Sequence, residues 1–193
     1  MNKKEEQYLM RKSQILDIAL SHFIKYGYYG TSTRKISDEA GISSGLMFHY
    51  FSDKKAIYEE LVQLGSEKMT IPEEYGDNPL IFFEKQVEGF LGVASHDDFS
   101  SRMFIFMGLA AINAQDISEK AYDMIKEHDV EKYSVPIIKK GQKMGVFRKG
   151  DPLALSIVFY GGIQGFAMNL VRREGLKLPD KECFLACLKA ENV

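Results

Sequence analysis

An all-α fold follows from three observations. Apolar residues recur with helical period along nearly the whole chain, strand-like alternation is scarce, and helix caps stand where each periodic run begins. The expected organisation is an N-terminal three-helix unit over residues 1–53 and a larger helical body over residues 54–193, about nine helices in all.

Ile15, Ile18, Ala19, His22, Phe23 and Tyr26 share one face of a first helix, which stops at Gly27 with Gly30 just beyond. Ser32 caps a second helix, Thr33 to Ala40, and a tight Gly41-Ile42-Ser43 turn leads to a third, Ser44 to Tyr50. Asp53 caps a fourth helix from Lys54 to about Met69, with Ile57, Leu61 and Leu64 inward. The chain breaks over 71–78. Asn78 then caps, and Pro79 opens, a fifth helix to about Ala94. After a restart at Ser95–Asp98, a sixth carries Met103, Phe104, Phe106 and Met107 to about Ala114. A seventh, about Ile117 to Met144, contains Pro136, which should kink or split it near Lys132; Gly145 and Gly150 end it. Asp151-Pro152 opens a long eighth helix to about Glu174, and a ninth runs from Pro179 or Asp180 to about Ala190.

A length of 193 residues suits one or two domains with a substantial core. With 45% apolar and 27% charged residues the composition is that of an ordinary soluble globular protein. No run of about 18 unbroken apolar residues exists, and the start, MNKKEEQYLMRKSQ, lacks the apolar stretch of a secretory signal. No membrane partner and a cytoplasmic location are therefore expected. Cys183 and Cys187 lie one helical turn apart with no further ligands at suitable spacing, so no metal and no cofactor are expected. No nucleophile set, paired carboxylates or phosphate loop suggests catalysis, so no catalytic residue is assigned and an enzyme is not expected. The nearest approach, His96-Asp97-Asp98, reads as a solvated helix start.

Residues 1–58 hold 9 Lys/Arg against 6 Asp/Glu, whereas the remainder holds 16 against 21. The N-terminal end is thus the one suited to phosphates. Two short helices joined by a glycine turn form a helix-turn-helix, whose second helix needs a buried face and a groove face. Met47 and Phe51 are spaced to point inward, with Ile42 from the turn. Ser44, Gly45, Leu46, Phe48, His49 and Tyr50 are left for the other faces. Small residues at the helix start allow close backbone approach, and Leu46 or Phe48 suits thymine methyls. His49 and Tyr50 can bond phosphate oxygens. Thr33 and Arg34 can grip a phosphate at the preceding helix start, and Lys54 is a further candidate. Aromatics at this spacing also suit a core, but the run Phe48-His49-Tyr50-Phe51 is too aromatic for one short helix to bury.

This segment resembles the DNA-binding domain of TetR-family transcriptional regulators. The resemblance rests on Phe23 with Gly27-Tyr28, Gly30-Thr31-Ser32-Thr33, Ile36, Ala40-Gly41-Ile42-Ser43, Gly45-Leu46-Met47-Phe48-His49-Tyr50-Phe51 and Asp53-Lys54. Lys140-Gly141 through Gly145-Val146-Phe147-Arg148 and Asp151-Pro152 resemble the family's junction before its dimerisation helices. Ser44 departs from the family's common basic residue and Phe48 from its common tyrosine. Phosphate affinity is then lower, or supplied by an arm of Lys3, Lys4, Arg11 and Lys12. The resemblance implies a C-terminal ligand-binding and dimerisation domain, a homodimer, a double-stranded palindromic operator, and repression relieved by a small apolar or amphipathic effector.

Gly161, Gly162 and Gly165 lie among Phe159, Tyr160, Ile163 and Phe166 in the eighth helix. A helical glycine costs about 1 kcal/mol against alanine, which close helix–helix approach would offset. Phe159, Gly161, Gly162, Gly165 and Phe166 are therefore assigned to a four-helix dimer interface of helices eight and nine; packing within one chain is the alternative. Phe82, Phe83, Phe90, Met103, Phe104, Met107, Tyr122 and Tyr133, with Gln164 as a polar anchor, are candidates for an effector pocket or an aromatic core. Asn113, Gln115 and His128 are further possible anchors. A small-molecule carrier or enzyme using the central cavity is the alternative function.

Overall fold

The structure, a computed structural model, describes residues 2–68, 77–95, 99–173 and 175–190. The expected break over 71–78, the restart with His96-Asp97-Asp98 and the helix end at Glu174 fall wholly or partly outside the described residues. Among the described residues there are ten helices: α1 (Lys3–Gly30), α2 (Thr33–Glu39), α3 (Ser44–Met47), α4 (Lys54–Lys68), α5 (Pro79–Ala94), α6 (Phe99–Ile117), α7 (Glu119–Lys126), α8 (Val130–Lys143), α9 (Pro152–Arg172) and α10 (Lys181–Leu185). The fold is all-α, and its β pairing among these residues is one isolated antiparallel bridge, Phe147 to Lys189. The chain divides into two compact units, Met1–Met69 with Asp98–His128, and Thr70–Asp97 with Asp129–Val193.

In the first unit α1 lays Ile15, Leu16, Ala19, Leu20 and Phe23 against Ile36, Met47, Phe51, Ile57, Leu61 and Val62, and α6 adds Met103, Phe106 and Met107 to the same core. One continuous apolar core thus joins α1–α4 to α6 and α7, and the compact unit does not end at residue 53. Tyr26, expected inward, is 49% exposed. Gly27 breaks the helical path of α1 at φ 70°, ψ 174°. Thr31 Oγ1 then donates to the Gly27 and His22 carbonyls at 2.8 and 3.2 Å, tying the end of α1 back across the break.

The N-terminal residues expected as an arm are helical from Lys3. Asn2 Oδ1 accepts from the Glu5 amide and Glu5 Oε2 accepts from the Asn2 amide, both at 2.9 Å, which makes a complete capping box.

The second unit is built on aromatic edges. Phe83 meets Phe147 and Phe159 edge to face at 5.4 and 5.0 Å, and Phe90, Phe166 and Phe184 form a mutually perpendicular trio. This corrects the interface assignment of Phe159. Its ring is 1% exposed and belongs to the core of its own unit. The expected seventh helix divides over Glu127–Asp129, several residues ahead of its proline. Asp129 Oδ1 accepts from the Lys132 amide to start α8, which carries Pro136 inside it without interruption. The last helix is shorter than expected, five residues, with Phe184 and Leu185 buried beneath it.

Gly145, at φ 73°, closes α8. Val146 N–H donates to the Gly141 carbonyl at 2.9 Å and Gly145 N–H to Gln142 at 3.2 Å, the pair of bonds that defines a Schellman ending. The chain then folds Phe147 onto Gly141. A Cβ on Gly141 would lie 2.1 Å from Phe147 Cδ2, and that ring is held by Phe83. Gly141→Ala should therefore destabilise the protein by about 1–3 kcal/mol through overpacking, measured by denaturant unfolding.

Tyr58 predicts the opposite behaviour. Its ring is buried, and its hydroxyl has no hydrogen-bond partner among the described residues. Burial pushes the phenol pKa well above its ordinary value, so the group stays neutral. Tyr58→Phe should leave stability unchanged or raise it, whereas Tyr58→Ala should cost about 3–5 kcal/mol by the same measurement.

Candidate nucleic-acid interface

Two short helices and a glycine turn build the candidate reading head. Ser32 caps α2 by accepting from the Lys35 amide at 3.2 Å, and Ser43 caps α3 by accepting from the Leu46 amide at 3.1 Å. Gly41 sits between them at φ 66°, a left-handed conformation that side chains other than glycine's strain to adopt. The Ile42 amide closes the turn onto the Ser37 carbonyl at 3.0 Å. His22 of α1 braces α2 from behind, its Nε2 lying 2.8 Å from Glu39 Oε2.

The short α3 separates its faces sharply. Met47 and Phe51 are 1% and 4% exposed and anchor it to the core. Ser44, Gly45, Leu46, Phe48 and His49 are all exposed, and Tyr50 is half-buried. Phe48 is 56% and Leu46 41% exposed, a large apolar surface for one helical turn. An ideal Cβ on Gly45 would meet nothing closer than Ser43 Oγ at 3.9 Å. Neither the chain's own packing nor a positive φ asks for glycine there. The bare backbone is therefore available to something approaching from outside.

Thr33 is half-buried at the first position of α2. The Arg34 side chain is 85% exposed, with its guanidinium 3.9 Å from Asp38, too loose to withhold it from another anion.

Lys54 is placed otherwise than expected. Its ammonium donates to the Tyr28 and Thr31 carbonyls at 2.6 and 2.8 Å and lies 4.1 Å from the Tyr28 ring centroid. Burial holds its pKa below the ordinary lysine value. Two of its three donors thus tie the end of α1 to the start of α4, and its first role is structural. Sequence reasoning missed this because the open carbonyls at the end of α1 meet Lys54 only in the folded chain. It also missed the packing of Tyr8, Arg11 and Lys12 against the reading head, although the Asn2–Glu5 capping signal and the 8, 11, 12, 15 spacing were legible.

The effector candidates fall in different units and mostly inside cores. Phe82, Phe83 and Phe90 are buried in the second unit, where Tyr133 lies 6.1 Å from Phe82 and is 40% exposed. Gln164 is half-buried on α9. Met103 and Met107 are buried in the first unit, where Tyr122 is half-buried and Phe104 is 37% exposed. Of the further anchors, Asn113 bonds its own helix at Leu109, Gln115 is exposed, and His128 Nδ1 lies 3.0 Å from the Met124 carbonyl.

Fold and reading head together define a helix-turn-helix protein with an additional helical body. Residues 15–61 match the family model described as bacterial regulatory proteins, tetR family. The HTH-type transcriptional repressor Rv1474c of Mycobacterium tuberculosis is 39% identical over 65 residues, which cover 34% of this chain and 35% of that protein. The HTH-type transcriptional repressor KstR2 of Rhodococcus jostii is 38% identical over 53 residues, 28% of this chain and 26% of that one. These matches span about a third or less of the relatives' own length. The fold extends further. The crystal structure of the MbdR regulator from Azoarcus sp. CIB superposes with a TM-score of 0.72 at 22% identity, covering 92% of this chain and 94% of that one. Residues 15–61 are thus similar to the regulatory proteins of the tetR family, and over the rest of the chain the likeness is one of fold.

Lys54→Met keeps most of the side chain's packing but removes both hydrogen bonds to the carbonyls. It should cost about 1.5–3 kcal/mol in denaturant unfolding, more than an exposed lysine would.

Proposed function

We propose that the protein is a dimeric DNA-binding transcriptional repressor, released from a palindromic operator by a small apolar or amphipathic ligand, and that it acts in the cytoplasm. The observation that carries the DNA assignment is the exposed Ser44–His49 face, with an apolar tip at Phe48 and a glycine that the chain itself does not require. In this reading Leu46 and Phe48 contact thymine methyls, while Thr33, Arg34, Ser44, His49 and Tyr50 engage phosphates or base edges. Residues 1–53 act as the DNA-binding domain and 54–193 as the effector-binding and dimerisation domain. The two named repressors support repression as the direction of control.

The dimer is proposed on α9. Its Pro152–Leu170 stretch is apolar and long enough to cross a membrane by length and composition, yet only 22% of it is buried within the chain. Leu153, Ile157 and Val158 are exposed, and a Cβ at Gly161, Gly162 or Gly165 would meet nothing within 4 Å. Close packing within one chain therefore does not account for the glycines, and a second copy approaching this face would. Phe166 flanks the face, and α9 forms its centre because α10 is too short to supply a second long helix.

The effector site is proposed among the side chains of α5, α8 and α9. Phe82, Tyr133 and Gln164 would line it, and Ser134 and Tyr160, whose hydroxyls lie 3.0 Å apart, would offer polar contacts. Burial pushes the Tyr160 phenol up to about 12, so it is a neutral donor or acceptor. Effector binding would shift the population of half-site spacings away from the one, about 34–36 Å, that fits successive major grooves.

Selection from a random duplex pool should recover a palindrome, and binding should weaken steeply with salt. A featureless pool with salt-independent binding would overturn the DNA reading. Arg34→Ala should weaken binding to all duplexes about equally, roughly tenfold. Ile157→Glu, which places a charge on the proposed interface, should yield monomers in sedimentation and lower operator affinity without unfolding the chain. A dimer of undiminished affinity would place the interface elsewhere.

A further inference from the structure

The first three turns of α1 run past the three-helix core, and residues 2–10 are exposed throughout. Tyr8, with Arg11 and Lys12 just beyond, nonetheless makes a row of contacts at helical spacing. Tyr8 stacks on Tyr50 with centroids 4.9 Å apart and planes 22° apart. Arg11 donates to the Ala40 carbonyl at 3.3 Å, at the end of α2. Lys12 lies 5.4 Å over the Phe51 ring and 2.6 Å from Glu60 of α4. This row reaches the segment after α3, the end of α2, and α4 in turn.

Tyr50 is the member with most to gain. Helix α3 is a single turn that ends at Met47, and turn-type bonds carry the chain through Phe48–Tyr50. Phe51 is fixed by burial, but Tyr50 is only half-buried. Among the described residues no hydrogen bond holds its hydroxyl, so the packing of its ring face is what sets its direction. The core holds one side of the ring, and Tyr8 covers a ring face while remaining 42% exposed itself.

We infer that Tyr8 is a positioning residue of the reading head, holding the Tyr50 ring in the orientation that it presents to DNA. The inference rests on the DNA reading proposed above. A stack needs the ring and not the hydroxyl, so Tyr8→Phe should behave as wild type and Tyr8→Ala should not. Tyr8→Ala should lower affinity for the selected operator roughly 2–10-fold and leave affinity for unrelated duplex unchanged. In a Tyr50→Ala background it should have no further effect, because its influence passes through that ring.

The test is a binding titration of the wild type, Tyr8→Phe, Tyr8→Ala, Tyr50→Ala and the double-alanine variant on operator and unrelated duplex. Amide hydrogen exchange of the free proteins accompanies it. The expected result is the pattern above, with faster exchange over residues 48–51 in Tyr8→Ala and unchanged protection over residues 15–23. Equal operator binding by wild type and Tyr8→Ala overturns the inference, as does a loss that persists without Tyr50 or falls equally on unrelated duplex. If the wild type selects no duplex, the DNA reading fails and the positioning role for DNA fails with it. Unchanged exchange over residues 48–51 refutes the stack itself, whatever the DNA result.

Discussion

The first unit depends on the ring cluster around Tyr58. Phe23 and Tyr28 reach it from α1 at 5.6 and 5.4 Å, and Phe106 reaches it from α6 at 5.3 Å, each meeting its ring steeply. Lys54, one turn earlier on α4, caps the cluster by sitting over Tyr28 and bonding the carbonyls at the end of α1. Edge-to-face rings at these separations contribute beyond the area that they bury, and they fix orientation as well as distance. Once α1, α4 and α6 are set by these rings, the helix-turn-helix has a rigid back to lean on. A reading helix of one turn has little stability of its own.

This arrangement bears on how a signal would reach the proposed DNA face. The helices of the reading head are not a separate bead on a linker. They share a core with α6 and α7, and Arg102 of α6 grips Asp17 and Ser21 of α1 at 2.9 and 2.6 Å. Ser118, ahead of α7, donates to Glu59 of α4. Any displacement of α6 or α7 has to carry α1 and α4 with it or break charge-assisted bonds. Under the proposed mechanism this body would be the part that changes the spacing of two reading heads.

Glycine separates intramolecular from intermolecular demands in this chain. Gly41 and Gly145 are required by backbone conformation, and Gly141 by the Phe147 ring that lies on it. Gly45, Gly161, Gly162 and Gly165 are required by neither, since a Cβ would meet only an ordinary contact at Gly45 and nothing within 4 Å at the other three. An unexplained glycine in a helix lowers stability, so these four positions direct attention to whatever meets the outer surface of α3 and α9. The exposed Phe48, Ile157 and Val158 beside them give the same direction.

The sequence by itself determined the all-α class, the start of most helices and the helix-turn-helix. Caps such as Ser32, Asn78 and Asp151 act within four residues, and the inward spacing of Met47 and Phe51 is a property of the helix period. The tertiary structure decided what depends on distant partners. It buried Phe159 against Phe83, turned Lys54 inward onto the carbonyls at the end of α1, and grouped α6 and α7 with the reading head. Local signals are legible because a cap or a period needs only its neighbours in sequence. Whether an aromatic ring becomes core, brace or contact surface depends on which other helix arrives opposite it, and only the packed chain fixes that.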